Sequence, residues 1–425
     1  MTTQYQPRIV DHELDELMRG VSAIAIQGPK AIGKTETALR RAATVRRLDD
    51  PAELDLWRAQ PSRLVEADGP ILIDEWQRYP ESWDLVRRAV DDGAPSGRFL
   101  LTGSAIPVED PTHSGAGRIV TVRMRPLALA ERGLGVPTVS LRELLSGQRQ
   151  PVSGGTSVTL ADYADEVVNS GFPALRGQSG RVLRAQLDGY LDRIVERDFV
   201  EQGHRVRNQA MLRAWMSAYA AASSTTTTYE RIRDAASSGH NDKPAKSTTM
   251  PYRNTLEQLW MLDPVPAWVP SRNRLSRLGS SPVHQLADPA LAARLLGVGT
   301  DALLDGTPAG PVVPRDGTLL GALFESLVTL SIKVYAQHNE ARVGHLRTRS
   351  GDREVDLVVE RSDGRVVAFE VKMGPTPRPG DERHLRWLAD RIGDDLLDAV
   401  IVTSGSEAYR RPDGIAVVPA ALLTI

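Results

Sequence analysis

Residues 28–35 have the types and spacing of a loop that binds phosphate, Gly-x-x-x-x-Gly-Lys-Thr. In such a loop the glycines let successive backbone N–H groups turn toward a phosphate, Lys34 reaches the β- and γ-phosphates, and the Thr35 hydroxyl ligates Mg²⁺. An apolar run at 23–26 predicts a buried strand before the loop, and 36–41 looks helical, so a helix N-terminus adds its dipole. The alternative is a glycine-rich turn with a surface lysine. The residues expected to contact a nucleotide are Gly28, Pro29, Lys30, Ala31, Ile32, Gly33, Lys34, Thr35 and Glu36.

A pair of adjacent acids is the second chemical signal. Asp74 and Glu75 follow the apolar run 71–73, which predicts a buried parallel strand with both carboxylates at its carboxyl end. Alone, this pattern indicates little. About 40 residues after a phosphate loop, it predicts that Asp74 holds Mg²⁺ through water and that Glu75 polarises the water that attacks the γ-phosphate. Lys34 and Glu75 are thus candidate catalytic residues, and Thr35 and Asp74 are candidate metal ligands.

Two further strands are predicted, at 98–104 and 117–123. The first ends in small polar residues, so Thr102 or Ser104 could contact the γ-phosphate or the attacking water; a simple strand-end turn explains them equally well. At the start of the second, Arg118 could lie near the nucleotide and act as an arginine finger, although a solvated arginine is the safer interpretation.

Length and composition exclude several classes of protein. The chain has 425 residues, which suggests about three domains, and its net charge of -2 gives no overall attraction to nucleic acid or membrane. It has no cysteine, which excludes disulfides, thiolate metal sites and a cysteine nucleophile. The polar N-terminus, and the expectation that no apolar run approaches the ~18 residues of a membrane span, predict a cytoplasmic protein without a membrane partner.

These motifs, the turn Asp49-Asp50-Pro51, where proline is expected to open a helix, and the run 123–131 resemble a group of prokaryotic ATPases of the AAA superfamily. The similarity covers essentially the whole chain, and the phosphate loop and the acidic strand are its most specific parts. It implies an α/β fold with a P-loop parallel sheet, and ATP and Mg²⁺ as cofactors. Members typically carry an uncharacterised C-terminal region.

Two connections divide the chain. The Gly-, Ser- and Pro-rich stretch 146–157 and the Pro- and Gly-rich stretch 305–317 predict three domains. These are a P-loop ATPase domain at 1–145, a helical region at 158–304 and a second α/β domain at 318–425.

The middle region is predicted to be helical. An Arg-rich helix runs to about Phe199, and within it Arg193 and Arg197 share one face. There they could touch nucleotide or nucleic acid, or more simply pair with Asp192, Glu196 or Glu201.

Helices at 229–236 and 246–259, followed by a wing at 260–274, resemble a winged helix-turn-helix, which implies DNA binding. The loop 237–245 is longer than the usual tight turn, and 225–286 holds eight Arg or Lys against five Asp or Glu, a modest footprint for phosphate. A helical pair used for packing or subunit contact explains this segment equally well.

The last domain is predicted to begin with an apolar helix at 319–335, followed by strands at 341–347, 354–361 and 365–372. A three-residue loop, 362–364, makes one face of the hairpin wholly apolar, because it pairs Val355 with Val371, Leu357 with Phe369, and Val359 with Val367. A helix near 382–389 and strands at 399–403 and 415–418 complete an αβββαβ order.

The same register places Asp356 opposite Glu370, with Lys372 two residues along that face. Two carboxylates forced together are costly unless a cation bridges them, and an ammonium beside them can orient a water. With Glu325 on the preceding helix, the pattern resembles the restriction-endonuclease-like fold. The resemblance implies Glu325, Asp356, Glu370 and Lys372 as catalytic residues, with Asp356 and Glu370 as metal ligands. The alternative is an ordinary charged strand face.

Three functions fit these motifs. The first is an ATP-hydrolysing switch whose γ-phosphate contacts move the neighbouring domains, coupled to a nuclease-like C-terminal domain. The second is a DNA- or protein-binding regulator gated by ATP without catalysis, and the third is a metal-dependent DNA nuclease that ATP regulates. ATP is the expected ligand in each, and DNA, a second copy of the chain or another protein stay open as partners.

Overall fold

A computed structural model of the chain describes residues 5–104, 116–204, 206, 208–237, 246–270, 281–304, 317–348 and 351–425. Three predicted features fall partly outside the described residues: the loop between the two middle helices, the end of the proposed wing, and the second connection.

The N-terminal region is built on a five-stranded parallel sheet. Its elements are α1 (Val10–Leu17), β1 (Ala23–Gln27), α2 (Lys34–Leu39), β2 (Thr44–Arg47), α3 (Pro51–Ala59), β3 (Ile71–Asp74), α4 (Glu81–Asp91), β4 (Phe99–Gly103) and β5 (Ile119–Arg123). The strand order is β2-β3-β4-β1-β5. Ile24 and Ile26 pack into one apolar cluster and Ala23 and Ala25 into another, so β1 is buried on both faces, as the continuous apolar runs predict.

The parallel arrangement brings the candidate residues to one edge of the sheet. Gln27, just before the phosphate loop, lies beside Gly103 at the end of β4, and Asp74 lies beside Thr102. The carboxyl ends of the strands therefore collect the loop, the acids and Ser104.

Arg118 lies at the opposite edge. It precedes β5, whose first residue is beside Ala23 at the start of β1, and its guanidinium pairs with Asp91 at 2.8 Å. The suggestion that Arg118 is near the nucleotide of its own chain is therefore wrong, because a parallel strand separates it from the phosphate loop.

The middle region is mainly helical. From residue 139 the elements are β6 (Val139–Ser140), α5 (Leu141–Ser146), β7 (Gly154–Gly155), α6 (Leu160–Val168), α7 (Gly180–Arg193), α8 (Phe199–Glu201), α9 (Gln209–Ala221), α10 (Tyr229–Ala236), α11 (Lys246–Gln258), α12 (Pro289–Leu295) and α13 (Thr300–Leu304). A π-helical turn, Ile194–Asp198, joins α7 to α8. After α11, antiparallel bridges join Leu262 to Leu286 and Val265 to Val283, where the sequence predicts a wing.

The C-terminal region contains a mixed sheet. Its elements are α14 (Gly317–His338), β8 (Arg342–Arg347), β9 (Glu354–Glu360), β10 (Val366–Val371), α15 (Arg383–Ile392), β11 (Leu396–Thr403), β12 (Glu407–Arg410), β13 (Ala416–Pro419) and β14 (Leu423–Thr424). The order is β7-β12-β13-β11-β10-β9-β8. The predicted αβββαβ succession is present, with β12 as an additional strand.

The predicted hairpin register is the observed one over the pairs that form. Phe369 lies opposite Leu357 and Val367 opposite Val359. Gly364 has a φ of +87°, the left-handed conformation that the three-residue loop requires. This register places Asp356 and Glu370 on neighbouring strands.

The first connection pairs with the C-terminal sheet. β7 is hydrogen-bonded to β12, and β6 to β14. The Arg149 guanidinium donates to the carbonyl oxygens of Leu396 and Leu397, at 2.9 and 3.1 Å. Within the stretch expected to be a connection, Arg149 and β7 therefore contact the last domain, and β6, which lies before that stretch, pairs with β14 in a separate two-stranded sheet.

α14 corrects the expectation that no apolar run approaches membrane length. Its segment Leu319–His338 has a mean hydropathy of 1.5 and is long enough to cross a membrane, but 72% of it is buried inside the protein. Length and composition are weak evidence for a span, since the core helix of a globular protein passes the same test. Here α14 packs within the largest apolar cluster, which also contains residues of the first two regions.

A buried carboxylate joins all three regions. Asp263, in the middle region, lies 3.2 Å from Arg123, the last residue of β5, and 2.8 Å from Arg125, two residues further along the chain. It is also 3.0 Å from Lys333 on α14. Burial alone would raise the pKa of Asp263, but these three cations outweigh it and hold that pKa well below its usual range. The cluster therefore stabilises the fold above the unfolded pKa of about 4, and this contribution is lost as pH falls through the lowered value.

We expect Asp263→Asn to destabilise the protein by about 3–5 kcal/mol, because it leaves the buried Lys333 and two partly buried arginines without their counter-charge. Urea unfolding followed by tryptophan fluorescence measures the change. Asp301→Asn, an exposed position on α13, is the matched control and should change stability by less than about 0.5 kcal/mol. Equal midpoints for the two variants would contradict the role given to Asp263.

Candidate functional site

The phosphate loop is held open by backbone conformations that favour glycine. Gly28 has a φ of +153° and Gly33 a φ of +93°. A Cβ atom on Gly28 would lie 2.2 Å from the carbonyl oxygen of Met124, so any side chain there collides with backbone. Ala31, with a φ of 64°, also adopts a left-handed conformation. The loop thus takes a shape that few other sequences permit.

Lys34 lies inside this loop. Its ammonium donates to the carbonyl oxygens of Gly28 and Pro29, at 2.9 and 2.7 Å, and the residue is 5% exposed. Burial lowers the pKa of Lys34 to about 8, against the opposing attraction of Glu75 and Asp74. A bound polyphosphate would replace the two carbonyl contacts and stabilise the charged ammonium.

Thr35 and Asp74 form the candidate metal-binding pair. The Thr35 hydroxyl donates to Asp74 Oδ1 at 2.8 Å. The Thr102 hydroxyl donates to the same carboxylate oxygen and is fully buried. Thr102 therefore orients Asp74 from the neighbouring strand, which is a role that the sequence left open between phosphate contact and a turn.

Glu75 lies beside this pair, held by two polar side chains. The Gln77 amide donates a hydrogen bond to Glu75 Oε2, and the Ser104 hydroxyl donates to the same oxygen at 3.3 Å. Glu75 has a φ of 55°, a conformation uncommon for a residue with a side chain and enriched where geometry serves function. Ser104 thus contacts the candidate general base rather than standing apart as a strand-end turn.

The remaining loop residues differ in their surroundings. Ile32 is buried and its carbonyl oxygen accepts a hydrogen bond from Arg8 at 2.9 Å, whereas Ala31 and Glu36 are exposed. Arg8 also pairs with Glu131 at 3.1 Å. No spacing in the sequence indicates Arg8, because its side chain contacts Ile32, Arg125 and Glu131, all more than 20 positions away. Arg125 and Glu131 do fall within the run 123–131 that carries the family resemblance.

The predicted carboxylate cluster of the last domain also assembles. The Lys372 ammonium donates to Glu370 Oε1 at 2.7 Å, and the backbone N–H of Val371 donates to Asp356 Oδ2 at 2.7 Å. Burial and the neighbouring Asp356 raise the pKa of Glu370 to about 8, and burial followed by Asp356 raises the pKa of Glu325 well above its usual range. Glu370 and Glu325 are thus both within the electrostatic influence of Asp356.

This second cluster is incompletely satisfied. Glu370 Oε2 is buried and has no hydrogen-bond partner among the described residues. Within the same described part of the chain, no three His, Asp or Glu side chains are arranged closely enough to form a ready metal cage. The cluster therefore has carboxylate oxygens that could ligate a cation, but these side chains would have to move closer together to bind one.

Comparison with known proteins agrees with the first site. Residues 21–132 match the family model described as an AAA domain, while 160–302 and 320–423 match two different domains of unknown function. The N-terminal region is thus an AAA-type, P-loop ATPase domain.

Relatives extend along nearly the whole chain. Uncharacterized proteins of Mycobacterium bovis and Mycobacterium tuberculosis are each 26% identical over 404 residues, covering 93% of this chain and 80% of theirs. Among solved structures, a Walker-type ATPase of Pyrococcus abyssi is 14% identical with a TM-score of 0.39, covering 67% of this chain and 94% of its own.

We expect Gly28→Ala to abolish nucleotide binding, because the added Cβ must displace the backbone at Met124 and close the loop. Equilibrium dialysis with a labelled nucleotide measures the loss. The control is Gly189→Ala, in α7, where a Cβ meets nothing within 4 Å and should slightly favour the helix. Unchanged binding by the Gly28 variant would show that this loop is not the nucleotide site.

Proposed function

We propose that this protein binds ATP with Mg²⁺ and hydrolyses it in the cytoplasm, as a switch that acts on its other two regions. The main support is the pairing of the Thr35 hydroxyl with Asp74 at 2.8 Å, beside a buried lysine inside a phosphate loop. Hydroxyl and carboxylate oxygens are the ligands that Mg²⁺ prefers, so this pair fits the metal. When bound, Mg²⁺ would neutralise charge on the phosphates.

The chain's own groups divide the remaining work. The backbone N–H groups of the loop and the Lys34 ammonium bind the phosphates and stabilise the charge that develops on them. Glu75 accepts a hydrogen bond from the attacking water, orients it and draws on its proton. Gln77 and Ser104 hold the Glu75 carboxylate at the edge of the sheet where that water must lie.

We expect Lys34→Ala to weaken MgATP binding and hydrolysis about a hundredfold, because the phosphates lose their buried cation. Glu75→Gln should bind MgATP normally and lose about a hundredfold in phosphate release, since the amide cannot take a proton from water. Phosphate release and isothermal titration separate the two effects. Glu81→Gln, exposed at the start of α4, is the control for charge removal and should leave both unchanged.

Two outcomes would contradict this proposal. Equal background phosphate release from wild type, Lys34→Ala and Glu75→Gln, together with tight ATP binding by wild type, would favour a regulator that ATP gates without catalysis. If the wild type binds no nucleotide, both the ATPase and the regulator gated by ATP are excluded.

We further propose that the last domain cleaves a phosphodiester bond in a metal-dependent manner. Glu370 Oε2, which is buried without a hydrogen-bond partner among the described residues, supports this second function, because a bound metal would supply the contact that this oxygen lacks. Asp356 and Glu370 would hold the metal, which would polarise the phosphate when bound. Lys372 would orient the attacking water, and Glu325, on α14, would complete the acidic wall.

DNA is the substrate class that we propose for this site. Support comes from the order of α10, α11 and the bridged segments after them, which is the order expected of a winged helix-turn-helix; the bridges reach residues 283 and 286, beyond the predicted wing at 260–274. Arg253 on α11 stacks over the Tyr229 ring at 4.3 Å and pairs with Glu257 on the same helix at 2.8 Å, so a DNA phosphate would compete with that carboxylate for this cation. We propose that this segment positions the duplex, with a partner protein or a second copy of the chain as the alternative occupant.

We expect Asp356→Asn and Lys372→Met each to reduce Mn²⁺-dependent nicking of supercoiled DNA about a hundredfold or more. Because Glu370 has a pKa of about 8, Mn²⁺ binding near pH 7 should release a proton, and titration in buffers of different ionisation heat measures that release. Glu407→Gln, exposed on β12, is the matched control. Nicking that survives in both variants, or Mn²⁺ binding without proton release, would contradict the proposed site.

A further inference from the structure

A helical turn of the middle region contacts the phosphate loop at Lys30. This turn combines the π-helical segment Ile194–Asp198 with α8, and π-helical turns concentrate at functional positions. The Tyr190 hydroxyl, just before it, lies 3.4 Å from the carbonyl oxygen of Lys30 in the phosphate loop. Just after it, the amide oxygen of Gln202 is buried with no hydrogen-bond partner in the described part of the chain.

Two carboxylates of this turn hold the loop by its lysine. Lys30 Nζ lies 2.7 Å from Asp198 Oδ1 and 3.4 Å from Glu201 Oε2, and the Asp198 side chain is only 4% exposed. The Lys30 charge is also close enough to contribute to the lowered pKa of Lys34. Lys30 is therefore near the ammonium that faces the phosphates, but its own charge is committed to the middle region.

Glu201 also holds the acidic side of the cleft. Its carboxylate lies 3.5 Å from Arg78, which comes three residues after Glu75. One side chain thus bridges the phosphate loop, through Lys30, and the turn that carries the candidate general base. Arg193 also lies 3.6 Å from Asp198, so three cations pair with the two acids, and one of them, Lys30, belongs to the phosphate loop.

We propose that Lys30 and Arg78 bind the polyphosphate of a nucleotide only after their ion pairs with Asp198 and Glu201 break. We call these two acids, with their ion pairs to Lys30 and Arg78, the acidic clasp; a nucleotide must open it by displacing the carboxylates. This inference rests on the proposed ATP site. A triphosphate repels the two carboxylates and competes with them for the same cations, so its binding releases the helical turn. Closing and opening of the clasp then reports nucleotide occupancy to the middle region.

Loss of the clasp should strengthen nucleotide binding. We expect Asp198→Asn and Glu201→Gln each to bind MgATP about three- to tenfold more tightly than wild type by isothermal titration, because the cations become available. Glu196→Gln is the matched control, since it removes the same charge from an exposed position in the same turn. It should change affinity by less than about twofold.

A double-mutant cycle tests whether Arg78 becomes available to the polyphosphate only when Glu201 no longer pairs with it. Arg78→Ala should change the affinity for MgATP by less than about twofold in the wild-type background and weaken it about three- to fivefold in the Glu201→Gln background. Because Glu201 is exposed on α8, its variant keeps the test usable should Asp198→Asn fail to fold.

The outcomes separate the clasp from the ATP site itself. Wild-type binding of MgATP with identical affinities for Asp198→Asn, Glu201→Gln and Glu196→Gln overturns the clasp and leaves the ATP site standing. Weaker binding by both clasp variants overturns the clasp as well. Failure of the wild type and of every variant to bind MgATP overturns both proposals.

Discussion

The described structure depends on one buried charge, the carboxylate of Asp263. Three cations from two other regions converge on it: Arg123 and Arg125 at the exit of β5, and Lys333 in the middle of α14. None of these groups could be buried alone, because an unpaired ion inside a protein costs several kcal/mol. The first region therefore cannot separate from the other two without exposing or neutralising this cluster, which makes one cooperative body of segments that differ in fold.

This cluster also places the two candidate sites on a common scaffold. Arg123 lies beside Gln27, the residue before the phosphate loop, so the cluster touches the edge of the sheet that carries the ATP site. Lys333 and Glu325 lie eight residues apart on α14, or about 12 Å along a helix. A structural change at the end of β5 would therefore reach α14 through Asp263 and Lys333. The same helix carries Glu325, which belongs to the carboxylate cluster of the last domain. The buried length of α14, which resembles a membrane span in composition, follows from this position at the centre of the protein.

Local patterns predicted the parts of this structure that are determined locally. The phosphate loop, its flanking strand and helix, and the hairpin register depend on residues close in sequence, whose spacing fixes which face each side chain takes. Asp263, Arg8 and Asp198 belong to no motif and act only through partners far along the chain. The sequence leaves the position of Arg118 open for a related reason: it precedes a correctly predicted strand, but only the parallel pairing of that strand shows that Arg118 lies away from the phosphate loop, where it is exposed and pairs with Asp91. The pairing of β6 and β7 with the last domain likewise has no signal in strands of two residues.

The two acidic sites differ in how fully the protein satisfies them, and this difference separates their chemistry. Asp74 accepts hydrogen bonds from two hydroxyls, and Glu75 from an amide and a hydroxyl, so the first site holds its carboxylates oriented before any ligand arrives. In the last domain, Lys372 satisfies one oxygen of Glu370, and the other is buried without a hydrogen-bond partner in the described part of the chain. Burial raises the pKa of both Glu370 and Asp356 there, so it favours the protonated form of each carboxyl. The first site thus has its carboxylates in place before a ligand binds, whereas the raised pKa values in the last domain would fall if a cation bound there.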